Sequence, residues 1–186
     1  MGFEDLWRKI LSSRAIVDSI EQKMLETIER TGHLVRLTPA EGLAWHPMPI
    51  EHDIAPINLG HLLGHLLDCM AGFCAVLYAA FPERLHDFEA LRSLTVNHFC
   101  SREETTIKIE TYSTCIVRGF GCCTDDDLRR KLPTVFVPDG EPLMTLLLGN
   151  LEHLINHKYQ LFFYLKLLGI PVGTQDLYKL RGTPMT

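Results

Sequence analysis

Residues 142–171 read PLMTLLLGNLEHLINHKYQLFFYLKLLGIP, and this stretch decides the fold class of the protein. Pro142 suits the first turn of a helix, and Gly169 followed by Pro171 is a strong signal for a helix end. Between them the leucines recur at helical steps, which is typical of one face of an amphipathic α-helix. We therefore predict a helix from about Pro142 to Leu168. The leucines of this face are Leu147, Leu151, Leu154, Leu161 and Leu165.

Three further stretches show helical periodicity, and connections rich in proline and glycine separate them. Together the helices predict an all-α protein, a four-helix bundle with long connections and a short C-terminal segment. At 186 residues the chain is long enough to bury a core without disulfides, so we predict a single domain spanning residues 1–186. The predicted ranges of the first three helices are 3–30, 57–81 and 101–120.

Local signals refine the ends of these elements. Gly32 is expected to stop the first helix. Ser101 and Glu104 have the spacing of a capping box at the start of the third helix. The sequence Thr-Pro-Ala-Glu beginning at Thr38 predicts a short helical turn. Residues 134–137 are extended in character but too few to anchor a sheet, so any β pair near them is expected to be minor.

Composition excludes several classes of function. Hydrophobic residues make up 46% of the chain, which is ordinary for a globular protein. The net charge of −5 predicts binding to neither nucleic acid nor an anionic membrane. No apolar run reaches the length of a membrane span, and the acidic N-terminal sequence MGFEDLW does not resemble a signal peptide. These features predict a cytoplasmic protein.

Six cysteines occur in the chain, and none of them forms a Cys-x-x-Cys pair. This pattern favours free thiols that mostly fill the core of a cytosolic protein.

Histidines provide the candidate site. His153 and His157 are four residues apart, so both imidazoles rise from one face of the predicted fourth helix. The second helix carries a matching line of His61, His65 and Asp68. Similar depths along the two helices would bring His65 together with His153 and His157 in parallel or staggered packing. Such histidine pairs also occur on ordinary helix surfaces, so the spacing leaves a solvated alternative open.

The sequence Asn58 to Asp68, NLGHLLGHLLD, resembles the second-helix segment of the DinB/YfiT-like family of metalloenzymes. The sequence LEHLINHKYQ at 151–160, followed by YLKLLGIP, is similar to the H-x-x-H-H-R-G-Q signature of that family. A weaker resemblance covers TPAE and WHP between Thr38 and Pro47. The three stretches occur in the expected order across nearly the whole chain.

The resemblance implies three metal ligands: His65, His153 and His157. His65 is preferred over His61 because it precedes Leu-Leu-Asp at the position of the family's ligand. Three residues depart from the signature without removing a ligand, and the tyrosine in place of glycine is the one expected to affect packing or cavity shape. They are Asn156, Lys158 and Tyr159, where the family often has histidine, arginine and glycine.

A metalloprotease is not expected, because Leu154 stands where the H-E-x-x-H motif needs its glutamate. Three neutral imidazoles would instead leave a divalent ion, zinc or nickel, with a full positive charge and an open position. The resemblance implies that a low-molecular-weight thiol is activated at such a site in some family members. Asp68 is the candidate carboxylate for orienting the ring of His65. No residue can be assigned as the general base.

Two functional hypotheses follow. The first is a metal-dependent enzyme acting on a small molecule, either a thiol-dependent transferase or a small hydrolase. The second is a non-catalytic metal-binding bundle with a role in stress response or assembly. His46 and His52 lie on the connection before the second helix, from which either could reach the mouth of the site.

The resemblance also predicts a homodimer. Apolar residues off the main face of the fourth helix need cover from the C-terminal segment 174–180 or from a second subunit. These residues are Phe162, Phe163 and Leu167.

Overall fold

The computed structural model describes residues 13–47, 57–134 and 137–179. Long α-helices dominate this part of the chain and confirm the predicted all-α bundle. The four long helices are α1 (Ala15–Leu37), α2 (Leu59–Ala80), α3 (Arg102–Phe120) and α4 (Leu143–Leu167).

Short elements fill the connections and the C-terminal segment. The segment after α4 forms one turn of helix, α5 (Thr174–Leu177). Two-residue strands β1 (Lys131–Leu132) and β2 (Glu141–Pro142) pair antiparallel on either side of the stretch predicted to be extended. The β content of the described residues is therefore as minor as the sequence predicts. The 3-10 helices are Ala40–Gly42, His86–Ser93 and Asp127–Arg129.

The predicted end of the first helix is wrong. The helix continues through Gly32 to Leu37, and the predicted start near residue 3 lies outside the described residues. Leu34 and Val35, after the glycine, are fully buried. The packing of this last stretch outweighs the modest helix-breaking tendency of one glycine, which is about 1 kcal/mol.

The predicted caps are partly correct. The Ser101 hydroxyl accepts a hydrogen bond from the Glu104 N–H, which caps α3. The Glu104 carboxylate turns away towards His98 and Lys108, so the capping box is only half formed. The short turn predicted after Thr38 forms at Ala40–Gly42, but Thr38 does not cap its start. Thr38 is instead the C-cap of α1, and its hydroxyl donates back to the Leu34 carbonyl in the last turn of that helix.

Contacts between elements define how the four helices are arranged. Both α1 and α2 pack against α3 and α4, so α1 and α2 lie diagonally across the bundle. Arg14 at the start of α1 donates to the carbonyl of Phe120 at the end of α3, and Arg102 donates to Thr38 at the other end. These contacts show that α1 and α3 are antiparallel.

By contrast, α2 and α3 are parallel. Cys100, just before α3, donates its N–H to Gly60 in the first turn of α2. At the far end Phe120 packs beside Phe73, with ring centroids 5.7 Å apart. Residues 81–101 therefore form a long crossover, as expected for a bundle without tight loops throughout.

The expectation that no apolar stretch reaches the length of a membrane span is wrong for α2, the most apolar helix, which is long and apolar enough to cross a membrane by length and composition alone. More than half of its apolar window is buried inside the bundle, against α3 and α4. Its hydropathy is that of a helix packed in the core of the bundle.

Two glycines of α2 let the crossover lie directly on the helix backbone. The N–H groups of Asn97 and Cys100 donate to the carbonyls of Gly64 and Gly60, one helical turn apart. A Cβ at position 64 would lie 1.8 Å from the backbone oxygen of His98. Only glycine permits this approach, which places residues 97–100 beside the middle of α2.

We predict that Gly64→Ala destabilises the fold by about 1–3 kcal/mol, because the backbone of the crossover must move to make room. Gly149→Ala is the matched control, since an added Cβ there meets nothing within 4 Å and alanine favours the helix. Urea unfolding followed by circular dichroism measures both. Equal stability of the two variants would contradict the close approach at Gly64.

Candidate metal centre

The three histidines predicted as ligands lie together where α2 packs against α4. The ring centroid of His65 is 4.4 Å from that of His157 and 5.3 Å from that of His153. The two histidines of α4 have centroids 4.7 Å apart. The structure thus brings the three imidazoles into one cluster, and their binding of a metal stays a prediction.

The helices that carry them run antiparallel, whereas the sequence suggested parallel or staggered packing. His65 contacts His157, while Cys69, one turn later in α2, contacts His153, one turn earlier in α4. His65 lies near the start of α2 and His157 lies in the second half of α4, so antiparallel packing sets them at the same level. Two side chains from each helix therefore face each other as two layers.

Hydrogen bonds running from the backbone of Ile57 set the tautomer of His157. Because the Ile57 carbonyl can only accept, the Tyr164 hydroxyl donates to it, at 3.2 Å. The Tyr164 oxygen then accepts from the amide nitrogen of Gln160, at 3.1 Å. The remaining Gln160 oxygen lies 2.9 Å from Nδ1 of His157 and accepts its proton. A neutral His157 therefore carries a lone pair on Nε2.

Asn97 has the corresponding effect on His65. Its side-chain oxygen lies 3.1 Å from Nδ1 of His65, while the predicted partner Asp68 lies 3.8 Å from the same nitrogen. The hydrogen bond therefore belongs to Asn97, and the Asp68 carboxylate adds negative charge beside it. Asn97 has φ of 58°, a left-handed conformation that asparagine tolerates better than most residues. With the proton on Nδ1, His65 also directs a lone pair from Nε2.

The two Nε2 atoms lie 3.1 Å apart. If both rings are neutral, two lone pairs face each other at this distance, which is repulsive. A cation between the rings, either a shared proton or a metal ion, removes that repulsion. In both rings Nδ1 donates a hydrogen bond to a protein oxygen, which is the arrangement that metal-binding histidines generally have.

Burial lowers the pKa of His157, and the neighbouring imidazoles of His65 and His153 lower it further, while the hydrogen bond to Gln160 opposes these effects. A lowered pKa means that the ring is neutral at pH 7. The neutral ring is the form that binds a metal ion.

A cysteine completes the cluster. The Cys69 sulfur lies 3.6 Å from Nδ1 of His153, and the four potential ligand atoms all lie within 4.8 Å of one another. Cys69 is 2% exposed, and burial raises the pKa of its thiol to about 12. His153 is exposed, so the cluster has a buried sulfur on one side and an opening to solvent on the other.

The other histidines named from the sequence lie outside this cluster. His61 is exposed and bonds to the helix cap Asn58, which agrees with the choice of His65 over it. His46 is exposed and bonds to the carbonyl of Pro47, and His52 lies outside the described residues.

The departures from the family signature have local explanations. Lys158 is buried, and its ammonium donates to the carbonyl of Leu177, which ties α4 to the C-terminal segment. Tyr159 is 55% exposed, and Asn156 is also exposed. Neither residue is among the potential ligands of the histidine cluster, and the expected effect of Tyr159 on packing or cavity shape stays a prediction.

A second group of potential ligands lies near the start of α3. His98 Nε2 is 3.0 Å from Glu104 and 3.4 Å from the sulfur of Cys100. Here the Lys108 ammonium lies 2.7 Å from the Glu104 carboxylate and neutralises it. This group is satisfied as an ion-pair network and does not require a metal.

Two residues of the site were not predicted. Cys69 is one of the six cysteines that were expected mostly to fill the core, although its position four residues after His65 could have identified it. Asn97 comes from the crossover, and its position depends on the close approach at Gly64. Gly60 and Gly64, one turn apart in α2, indicated that another segment could lie close to the helix. They do not indicate which residue of that segment would contact His65.

Comparison with known proteins supports the fold. No family model matches the sequence, and no curated protein matches it. Among solved structures, the chain is similar to a DinB-like protein, YjoA, from Bacillus subtilis, with a TM-score of 0.60 and 20% identity. The match covers 83% of this chain and 96% of that one. The protein therefore has the DinB-like fold that the sequence resemblance implied.

We predict that Asn97→Gly weakens metal binding by about 10- to 100-fold, because His65 loses the hydrogen bond that orients it. Glycine keeps the left-handed backbone, so the fold is retained. Asn97→Asp is the matched control, since its carboxylate still accepts from Nδ1 and affinity should be kept. Competition with a chromophoric chelator measures the dissociation constants. Wild-type affinity in the glycine variant would show that Asn97 does not position His65.

Proposed function

We propose that the protein binds a divalent metal ion through His65, His153 and His157 and uses it to activate a small molecule. The observation that best supports this proposal is that Nε2 of His65 and Nε2 of His157 point at each other, 3.1 Å apart. In each ring, Nδ1 is hydrogen-bonded to the oxygen of a side-chain amide. This arrangement is stabilised by a cation between the rings. The exposed edge of His153 would give a small substrate access to that cation.

Bound by neutral imidazoles, a divalent ion would lower the pKa of a coordinated water or bind a thiolate. The chain contributes orientation: Asn97 and Gln160 hold two of the rings, and Tyr164 links Gln160 to the backbone. Asp68, 40% exposed at the edge of the site, adds a negative charge that favours a bound cation. On these grounds we propose a thiol-dependent transferase, with a small hydrolase as the other enzymatic form.

A non-catalytic metal-binding bundle, for stress response or assembly, is the second candidate. The fourth donor, Cys69, favours it, because four protein ligands saturate a tetrahedral ion. Under either proposal we place the protein in the cytoplasm. All six cysteines are free, which suits a reducing compartment.

Metal analysis of protein purified without an affinity tag tests the proposal. We expect about one zinc or nickel ion per chain, lost in His157→Ala and kept in His61→Ala. His61 is the matched control because it lies on the same helix but outside the cluster. The helical circular dichroism signal should stay unchanged in both, since the leucine core does not depend on the ion. Metal-free wild-type protein that also fails to bind added zinc, nickel or cobalt would refute the proposal.

A conjugation screen with small thiols and electrophilic acceptors then separates the two candidates. The enzyme proposal predicts turnover that His157→Ala abolishes and His61→Ala preserves. Metal-loaded protein without thiol transfer or hydrolysis would favour the non-catalytic bundle.

We also propose a homodimer formed through α4. Phe162 is buried within the chain, but Phe163 and Leu167 are 50% and 51% exposed and lie one turn apart. Burying such side chains against a second copy would favour association. Light scattering at micromolar concentration should give a dimer mass, and Phe163→Glu should give a monomer. Ile107→Glu, at a 65% exposed site on α3, is the control that should stay dimeric. A monomeric wild type would contradict this proposal.

A further inference from the structure

The four potential ligands form two matched pairs on facing helices. His65 and Cys69 are four residues apart on α2, and His153 and His157 are four residues apart on α4. Residues at this spacing project from one face of a helix, one above the other. The antiparallel packing then brings His65 to His157 and Cys69 to His153. Pairs of ligands from facing helices are a common way to build a metal site inside a bundle.

The distances between facing residues of the two helices fit tetrahedral coordination. Zinc–nitrogen bonds of about 2.0–2.1 Å and zinc–sulfur bonds of about 2.3 Å place two nitrogens about 3.3 Å apart and nitrogen and sulfur about 3.6 Å apart. The observed separations are 3.1 Å between the Nε2 atoms of His65 and His157, and 3.6 Å between Cys69 Sγ and His153 Nδ1. These two separations match those of two ligands on one tetrahedral ion, and all four potential ligand atoms lie within 4.8 Å of one another.

We infer that Cys69 is the fourth ligand of the metal ion, which it binds as a thiolate from the buried side of the site. This inference rests on the proposed metal site and narrows its chemistry. One thiolate reduces the net charge of the bound ion from +2 to +1, and the thiol proton is released to solvent as the sulfur–metal bond forms. A tetrahedral set of three imidazoles and one thiolate suits zinc better than nickel.

The placement of the sulfur also decides where a substrate can approach. Cys69 is 2% exposed and occupies the inner side, whereas His153 is exposed at the outer side. Four protein ligands saturate a tetrahedral ion, so a small molecule would bind only from the His153 side and only by expanding the ion to five-coordination, as zinc sites sometimes do. Cys69 itself is shielded from such a molecule.

Cobalt substitution tests the assignment, because a cobalt–thiolate bond produces a charge-transfer band in the near ultraviolet that imidazole ligands do not. The wild-type protein and Cys122→Ser should both show this band, and Cys69→Ser should lose it. Cys122 is the matched control, as a partly buried thiol that bonds to the Arg118 carbonyl at the end of α3. Loss of a residue that hydrogen-bonds to a metal ligand typically weakens metal binding by about 10- to 100-fold. Because Cys69 would be a ligand itself, Cys69→Ser should weaken binding by more than this.

X-ray absorption of the zinc-loaded wild type gives a second measurement that needs no variant to fold. One sulfur at about 2.3 Å from zinc supports the inference. Cobalt and zinc bound with nitrogen and oxygen ligands only, with unchanged affinity in Cys69→Ser, would overturn it and leave the proposed three-histidine site standing. A chain that binds no metal at all would overturn both.

Discussion

The antiparallel packing of α2 against α4 is the constraint on which the rest of the site depends. It sets His65 opposite His157, and Cys69, one turn later in α2, opposite His153, one turn earlier in α4. Each helix therefore contributes two side chains at i, i+4 spacing, and the four side chains meet in two layers. A shift of either helix by one residue, about 1.5 Å along its axis and about 100° around it, would separate the imidazole nitrogens. Fully buried leucines of both helices, such as Leu66 and Leu154, hold the register.

Around that register, hydrogen bonds to amide oxygens hold Nδ1 of both His65 and His157. The link from Ile57 through Tyr164 and Gln160 to His157 begins at a backbone carbonyl, which can only accept a hydrogen bond. This direction leaves one possible tautomer for the neutral imidazole. A preset tautomer lowers the cost of organising the ring when a cation binds. The cluster could hold a metal ion, and the link from Ile57 fixes the tautomer of His157 that the proposed binding requires.

Among the described residues, two clusters of potential metal ligands illustrate how charge distinguishes a candidate metal site from an ion-pair network. Near α3, the Glu104 carboxylate already has the Lys108 ammonium as its counter-charge. Between α2 and α4, Nε2 of His65 faces Nε2 of His157, and Nδ1 of each ring bonds to a neutral amide oxygen. The number of potential ligands is similar in the two places, and the local charge balance separates them.

Most of the fold could be predicted from the sequence, because leucines at helical spacing and glycine–proline ends act locally. The ends of α2, α3 and α4 agree with prediction to within two residues, whereas α1 continues past Gly32 because packing of Leu34 and Val35 outweighs a local preference.

For the site, the sequence by itself determined that His65, His153 and His157 were the candidates, since the spacing of two of them is a property of one helix and the resemblance selected the third. Only the tertiary structure decided that Cys69 joins them and that Asn97 orients His65. Both depend on contacts between distant parts of the chain: one on the direction of α4, the other on a crossover that lies against Gly64. Helical periodicity describes which face a residue occupies, but the neighbour opposite that face is set by packing, which no local pattern encodes.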